Sequence, residues 1–304
     1  RFGTEQSDGV KSARALGIPV GFPVFSWDNL TTKGVIHVEP DRVFVWNAVQ
    51  KREATEYYGI PAENVVITGA PRFDSFIDLR PSVDRDAYCQ SLNLDPAAPI
   101  VTYLCSSEFV AGREVAFVEQ WIEEIRKDPR LTSCNVIVRP HPRSVRQWNE
   151  VDLARHGRIG LSLSRVLNAD QSLYDALYHS AAVVGLNTSA QIEAGILGKP
   201  VLTLLAPGFE KGQQGTLHFR YLLREEGGFV ELAHDLDEHK THLARAVSGG
   251  YAVDEIRSAV ERFIRPEGWG RRATPILADA IADMVPDKPS VVRRWLNSAT
   301  RAGR

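Results

Sequence analysis

Short apolar, β-branched runs alternate along this chain with longer segments of helical periodicity, and few folds accommodate that alternation. A continuous apolar run suits a strand buried on both faces, and strands alternating with helices build βαβ units around a parallel sheet. Asp41 to Trp46, Val65 to Gly69, Ile100 to Cys105, Asn135 to Arg139, Ala182 to Gly185 and Pro200 to Leu205 read as strands, with the proline-broken Ile18 to Phe25 as a further short one. Helical patterns cover about Asn47 to Tyr58 (stopped by Gly59), Arg113 to Lys127, Ser172 to His179 and Ala190 to Leu197. The stretch after about Glu231 reads as helical and charged. Residues 79–98, rich in prolines, charges and turn formers around one short helix, mark a crossing between domains. The pattern predicts an α/β protein. A Rossmann-like doubly wound parallel sheet spans about residues 95–285, the C-terminal part of another Rossmann-like domain precedes it in residues 1–80, and a tail follows at 286–304.

Composition narrows the function classes. At 304 residues the chain has room for two domains, and 43% hydrophobic with 24% charged residues excludes a disordered tail or a collagen-like rod. Lys and Arg number 36 against 38 Asp and Glu, so no whole-molecule field draws in nucleic acid, which is not an expected partner. Cys89, Cys105 and Cys134 are far apart and form no CxxC, which argues against a disulfide framework or a zinc site. Cys105 and Cys134 lie in apolar runs as small buried side chains, and a reducing, cytoplasmic compartment is the expectation. No run reaches the ~18 apolar residues of a membrane span, and no signal peptide opens the chain. The chain starts at Arg1 and its one methionine is Met284, so it reads as the C-terminal part of a longer protein.

Polar motifs gather at the ends of the predicted strands, where doubly wound sheets bind ligands. In Asn187-Thr188-Ser189-Ala-Gln-Ile-Glu193, a strand gives way to a helix whose first N–H groups and dipole favour an anion. Thr188 and Ser189 offer hydroxyl donors to a phosphate, and Glu193, one turn on, offers an acceptor to ribose or sugar hydroxyls. Equally, Asn187, Thr188 or Ser189 simply caps the helix and Glu193 is surface. Gly198-Lys199-Pro200 reads as a helix stop, with Lys199 structural or solvent-facing. Arg139-Pro-His141-Pro-Arg143 presents two guanidinium forks suited to a diphosphate, and a histidine able to hydrogen-bond, to do acid–base work or to pack. Ser106 and Ser107 end the strand before it, as phosphate contacts or as a helix cap. Thr216 and His218 follow Gly212 in a glycine-containing loop that either approaches a ligand or is a mobile surface loop. Ser26-Trp27-Asp28-Asn29-Leu-Thr-Thr-Lys33 offers polar groups and a ring face for sugar hydroxyls, or only local turns.

No GxGxxG, Walker loop, HExxH, GxSxG or DxD-type metal pair stands in a convincing context, which argues against a dinucleotide oxidoreductase, a P-loop NTPase and a zinc hydrolase. The strand-end His141-Pro-Arg143, the Asn187-Thr-Ser-Ala-Gln-Ile-Glu-Ala segment and Gly198-Lys-Pro-Val together resemble the C-terminal nucleotide-binding domain of GT-B glycosyltransferases. The resemblance is to bacterial surface-polysaccharide types: capsule synthesis proteins, glycerophosphotransferase-like enzymes and the related UDP-GlcNAc 2-epimerases. Ser26 to Gly34 and Thr68-Gly-Ala-Pro-Arg-Phe-Asp also look like these proteins, and the resemblance covers about residues 18–285.

The resemblance implies a nucleotide-sugar donor, a glycan or lipid-linked acceptor, no cofactor or metal, and a cytoplasmic protein with at most a peripheral association at the inner face of the membrane. It implies that Thr188 and Ser189 touch the phosphates, Glu193 the ribose or sugar, and Arg139, His141 or Arg143 the phosphate or donor group. Helices near Pro266 to Arg271 would cross back to the first domain. Asp28 is the one carboxylate in its motif and, with His141, the candidate for catalysis. The expected activity is transfer of a sugar to a cell-surface polysaccharide. A nucleotide-sugar 2-epimerase and a non-catalytic binding module are the alternatives, and the Asn-Thr-Ser segment, where the epimerases carry glycines, favours transfer.

Overall fold

The computed structural model describes residues 4–33, 35–108, 110–149, 151–163 and 169–285, and the tail expected at 286–304 lies outside them. Within these residues the chain is α/β, with two wholly parallel sheets of three and six strands. It divides into two compact units. One holds the described residues up to Pro71 with those from Ile264 onward, and the other is Arg72–Phe263.

The first unit begins with α1 (Thr4–Ala15), β1 (Gly21–Pro23), the short α2 (Asn29–Thr32), β2 (Arg42–Val45), α3 (Ala48–Tyr58) and β3 (Val65–Ile67). Its strands pair in the order β1-β2-β3. The prolines that flank and end β1 lack an N–H, so only three residues of the predicted Ile18 to Phe25 run join the sheet. Helix α3 starts at its expected place because the extended Asn47 caps it, its side chain accepting from Gln50 N. Val24, Leu30, Val43, Val45, Ala54, Ile60 and Val65 form one core cluster.

The second unit runs through α4 (Asp74–Asp78), α5 (Arg85–Ser91), β4 (Ile100–Leu104), α6 (Glu114–Arg126), β5 (Asn135–Arg139), β6 (Ile159–Leu161), α7 (Ala169–Tyr178) and β7 (Ala182–Val184). It continues with α8 (Ala190–Ile196), β8 (Val201–Leu204), α9 (Leu217–Arg220), β9 (Val230–Ala233), α10 (Leu236–Val247) and α11 (Val253–Ile264). The strand order is β6-β5-β4-β7-β8-β9, so the sheet winds one way from β4 to β6 and the other way from β7 to β9. Every residue of β4, β5, β7 and β8 is buried, which is why these strands are continuous apolar runs. Helix α6 turns Val118, Trp121, Ile122 and Ile125 inward. Gly198, at φ 69°, takes the left-handed conformation that ends α8 and sends the chain into β8.

Two edge strands depart from the sequence expectation. β6 gives no periodic signal, and β9 occupies Val230–Ala233, where the sequence pattern turns helical. A four-residue edge strand with two half-buried members is too short to carry an alternation of its own, and its pairing with β8 decides its state. The second domain is expected at residues 95–285, whereas the compact unit that holds the six-stranded sheet ends at Phe263. From Ile264 the chain packs with the first unit. Ala70 N donates to Ile264 O at 2.8 Å, and α12 (Ala273–Ala282) follows.

Candidate functional site

Because all six strands are parallel, the loops after β5, β4, β7 and β8 leave neighbouring strands at one carboxyl-terminal edge. The winding reverses between β4 and β7, the place where open α/β sheets bind ligands. Ser106, Arg139, Asn187 and His218, read from sequence as separate motifs, all lie at these four strand ends or on the loops that leave them.

A chain of buried polar groups ties three of the loops together. Glu114, the first residue of α6, is 3% exposed, with Tyr103 OH donating to Oε1 at 3.1 Å and Ser106 N donating to Oε2 at 2.7 Å. Burial pushes its carboxyl up to about 7 against the pull of its hydrogen bonds from Ser106 and Tyr103. The buried Ser106 hydroxyl faces the same carboxylate and accepts from Asn187 N at 3.5 Å. Asn187 Nδ2 donates to Gly212 O at 2.5 Å and lies 3.3 Å from His218 Nε2. Gly212 is required at its position: a Cβ there would meet Val110 O at 2.8 Å. The neighbouring Gln213, 1% exposed, donates to Leu204 O at 2.9 Å and Leu186 O at 3.3 Å and accepts from Ala206 N at 3.1 Å. The β8 loop is therefore tied to the sheet through its glutamine. Thr216 is half-buried, its hydroxyl donating to Gln213 O at 3.0 Å.

Neither Asn187 nor Thr188 nor Ser189 caps α8 with its side chain. Ser189 has helical dihedrals and no side-chain cap bond. The side chain of Gln191, inside the helix, instead ties α8 back to the chain that enters it, since Thr188 N donates to its Oε1 at 3.2 Å and its Nε2 donates to Gly185 O at 3.1 Å. The half-buried Thr188 and Ser189 hydroxyls are left without a partner among the described residues. Glu193 is not surface. It is 5% exposed, with Oε1 3.0 Å from Arg72 Nη2 and Oε2 without a hydrogen bond. Burial raises its carboxyl to about 7, and the Arg72 charge opposes that rise.

The β5 loop separates its two arginines. Arg139 is buried, and its guanidinium donates to Ser162 Oγ at 2.9 Å, Ser172 Oγ at 3.1 Å and Ala169 O at 3.3 Å. That environment weighs against a phosphate contact, because Nη1 and Nη2 already donate to the chain's own oxygens. Arg143 is exposed, and its guanidinium has no partner among the described residues. Its backbone N–H donates to His141 Nδ1 at 3.2 Å, so the neutral ring carries its proton on Nε2. Burial first and the Arg143 charge second lower the His141 pKa, favouring that neutral form. Ser107, half-buried, follows Ser106 in the loop after β4.

In the first unit, Asp28 Oδ1 accepts from Ser26 Oγ at 2.5 Å and from Lys33 Nζ at 2.8 Å, while Asn29 Oδ1 accepts from Ser26 N at 2.7 Å. These are the local turns of the alternative reading. Trp27, 4% exposed, has no open face for a sugar ring.

Sequence reasoning missed Glu114, Gln191, Gln213 and Arg72 as members of the site. Arg72 stood inside Thr68-Gly-Ala-Pro-Arg-Phe-Asp, a stretch that carries part of the family resemblance but from which no site residue is drawn. Glu114 stood at the start of a predicted helix, where an acidic residue is ordinary. Among the described residues no group of three His, Cys, Asp or Glu side chains gathers as a metal would require. The three cysteines are buried and free. No helix among the described residues is long and apolar enough to cross a membrane. A cleft of about 900 Å³ opens at the opposite, amino-terminal edge, near Arg85, Tyr178, His179 and Lys199. There Lys199 Nζ donates to Tyr178 O and Arg85 to His179 O, so both cations cap the C-terminus of α7.

No protein-family model and no curated protein matches the chain. Solved structures do. A wall teichoic acid polymerase, TagF, aligns over 80% of this chain and 58% of its own, at 18% identity and a TM-score of 0.52. The chain thus spans somewhat over half the length of that polymerase. A putative UDP-N-acetylglucosamine 2-epimerase from Listeria monocytogenes aligns over 90% of this chain and 70% of its own, at 17% identity and a TM-score of 0.60. HepE from Anabaena, solved in complex with UDP-glucose, aligns over 90% of this chain and 75% of its own, at 14% identity and a TM-score of 0.51. At these identities the likeness is one of fold.

Proposed function

We propose that this chain, which has the fold of the GT-B superfamily, binds a nucleotide-sugar at the β4–β7 edge of its second unit and acts as a glycosyltransferase toward a cell-envelope glycan. One observation carries the reading. At an edge where most polar groups are tied to one another, Thr188, Ser189 and Arg143 keep hydroxyl and guanidinium donors without a partner among the described residues. Unfilled donors on a rigid support are what an anionic leaving group needs, since they meet developing charge without reorganising. Anabaena HepE holds UDP-glucose, and a Methanocaldococcus jannaschii epimerase of the same fold holds UDP-GlcNAc and UDP, which supports a nucleotide-sugar as ligand. The polymerase among the similar structures supports an envelope acceptor.

In this reading Thr188, Ser189 and Ser107 donate to the diphosphate, and Arg143 offsets the charge that builds as the sugar–phosphate bond breaks. His141, neutral with its proton on Nε2, donates to the same leaving group. Glu193 accepts from a ribose or sugar hydroxyl. Asn187, Ser106, Thr216 and His218 support these groups, and Arg139 holds the β5 end in place. Asp28 is assigned no step, because its carboxylate is engaged by Ser26 and Lys33.

The test is a thermal-shift panel of UDP-, GDP-, CDP- and CMP-linked sugars with their free nucleotides, since a ligand of the native state raises the melting temperature. One nucleotide should shift the wild type, and Arg143→Ala should weaken that shift about tenfold in apparent affinity while leaving the unliganded melting temperature within about 1 °C. No shift with any nucleotide overturns the reading. The likeness to 2-epimerases, at a TM-score of 0.60, makes donor turnover without an acceptor the decisive second assay. Epimerised donor in that assay replaces transfer with epimerisation at the same site.

A further inference from the structure

The polar chain at the β4–β7 edge has a root that touches none of the groups assigned to the ligand. Glu114 sits at the first residue of α6, 3% exposed, and each of its oxygens is engaged, by Tyr103 OH and by Ser106 N. Tyr103 is itself fully buried in the central strand β4, so this end of the carboxylate is fixed. From Ser106 the connection passes through its hydroxyl to Asn187 N, and from the Asn187 amide to Gly212 O and the His218 ring. One continuous path thus runs from α6 through the loops after β4, β7 and β8. Its members lie 81 residues apart at one step and 25 at the next.

A buried carboxylate is costly, and apolar residues would fill its place on a helix facing a sheet at less cost. What Glu114 provides, and an apolar side chain cannot, is an acceptor for a backbone N–H just beyond the end of β4. We propose that Glu114 is the positioning residue of the site: by holding Ser106 it sets where the β7 loop begins, and so where Thr188 and Ser189 present their hydroxyls. The functional half of this inference rests on the nucleotide-sugar reading above; the positioning half does not. Glu114 touches no group of the proposed ligand, and its action runs through Ser106 and Asn187.

The experiment uses the full chain and two readouts. Backbone hydrogen exchange needs no ligand. In Glu114→Ala, amides in residues 104–108 and 185–189 should exchange at least about tenfold faster, while residues 42–67 keep their protection. Glu114→Gln should stay within about twofold of wild type, because the amide oxygen still accepts from Ser106 N and the amide nitrogen donates to the Tyr103 oxygen. The second readout is the dissociation constant of UDP-N-acetylglucosamine or whichever nucleotide-sugar in the panel shifts the wild type. It should rise about tenfold in Glu114→Ala and recover in Glu114→Gln. Unchanged exchange at 185–189 in a folded Glu114→Ala overturns the proposal, as does equal loss in the Ala and Gln variants. If Glu114→Ala does not fold, Ser106→Ala cuts the path one step later. It should speed exchange at 185–189 with Glu114 still bonded to the residue-106 amide, and unchanged exchange there again overturns the proposal. Should the wild type bind no nucleotide, the donor reading fails while the exchange data still decide whether Glu114 positions the loops.

Discussion

The loop after β1 and the loop after β7 look alike in sequence. Each leads from a parallel strand into a helix, and each carries hydroxyls, an asparagine and one carboxylate within a few residues. Their polar groups close in different ways. Asp28 is satisfied by Ser26 and Lys33, two and five residues away, and Asn29 reaches back three residues to Ser26 N. Asn187 and Glu193 instead reach residues 81, 25 and 121 positions distant. Local closure shapes a turn and leaves little for a ligand to replace. Long-range closure fixes several loops against one another and leaves Thr188 and Ser189 unfilled in between. A polar motif therefore becomes a site through what its neighbours bond to, more than through its own composition.

Removing long-range partners should cost the most. Arg139→Ala leaves Ser162, Ser172 and the Ala169 carbonyl facing a void, and it should lower stability by about 3 kcal/mol in denaturant melts. A fully stable Arg139→Ala with lost nucleotide affinity would return Arg139 to the phosphate and break the comparison on its second side. Next in size is a pH effect at Glu193. Its folded carboxyl, raised to about 7 from 4.5, binds a proton that the unfolded chain has released. Its contribution is thus fully present below pH 4.5 and is lost as pH rises through about 7. The melting temperature of Glu193→Gln should therefore gain on that of wild type between pH 5 and pH 8, by the equivalent of roughly 2 kcal/mol. A pH-independent difference would show that the Arg72 pair keeps Glu193 ionised throughout.

Asn187→Ala should cost about 1–2 kcal/mol through the lost bond to Gly212 O and the lost contact with His218, with faster exchange in the β8 loop. Asp28→Asn sits at the other end of the scale. Its Lys33 partner is half exposed, and the change should stay within about 0.5–1 kcal/mol and leave nucleotide affinity unaltered. Lost turnover with intact donor binding in Asp28→Asn would restore Asp28 as a catalytic group and erase the contrast between the loops.

Much of the fold was legible because β4, β5, β7 and β8 are buried along their whole length, so burial wrote itself into uninterrupted apolar runs. The short edge strands β6 and β9 were not, since pairing on one side asks little of their side chains. The candidate groups at the strand ends were legible as residue types, but their division of labour was not. Arg139 and Arg143 are equivalent in a string of letters. The alternation along β5 turns the first toward Ser162 and Ser172, while the prolines after it carry the second out to solvent.

By itself the sequence determined the α/β class, the parallel order of strand and helix, and the edge at which polar residues collect, because strand burial and helix punctuation are local properties that leave local patterns. Only the tertiary structure decided that Glu193 is buried against Arg72 and that Glu114 accepts from Ser106 N beyond the end of β4. Each of those facts depends on which side chain meets a buried N–H or oxygen once the strands and helices have packed. Pairings such as Arg72 with Glu193 or Ser106 with Asn187 are set by the packing of the whole sheet, and no short window of sequence contains both partners.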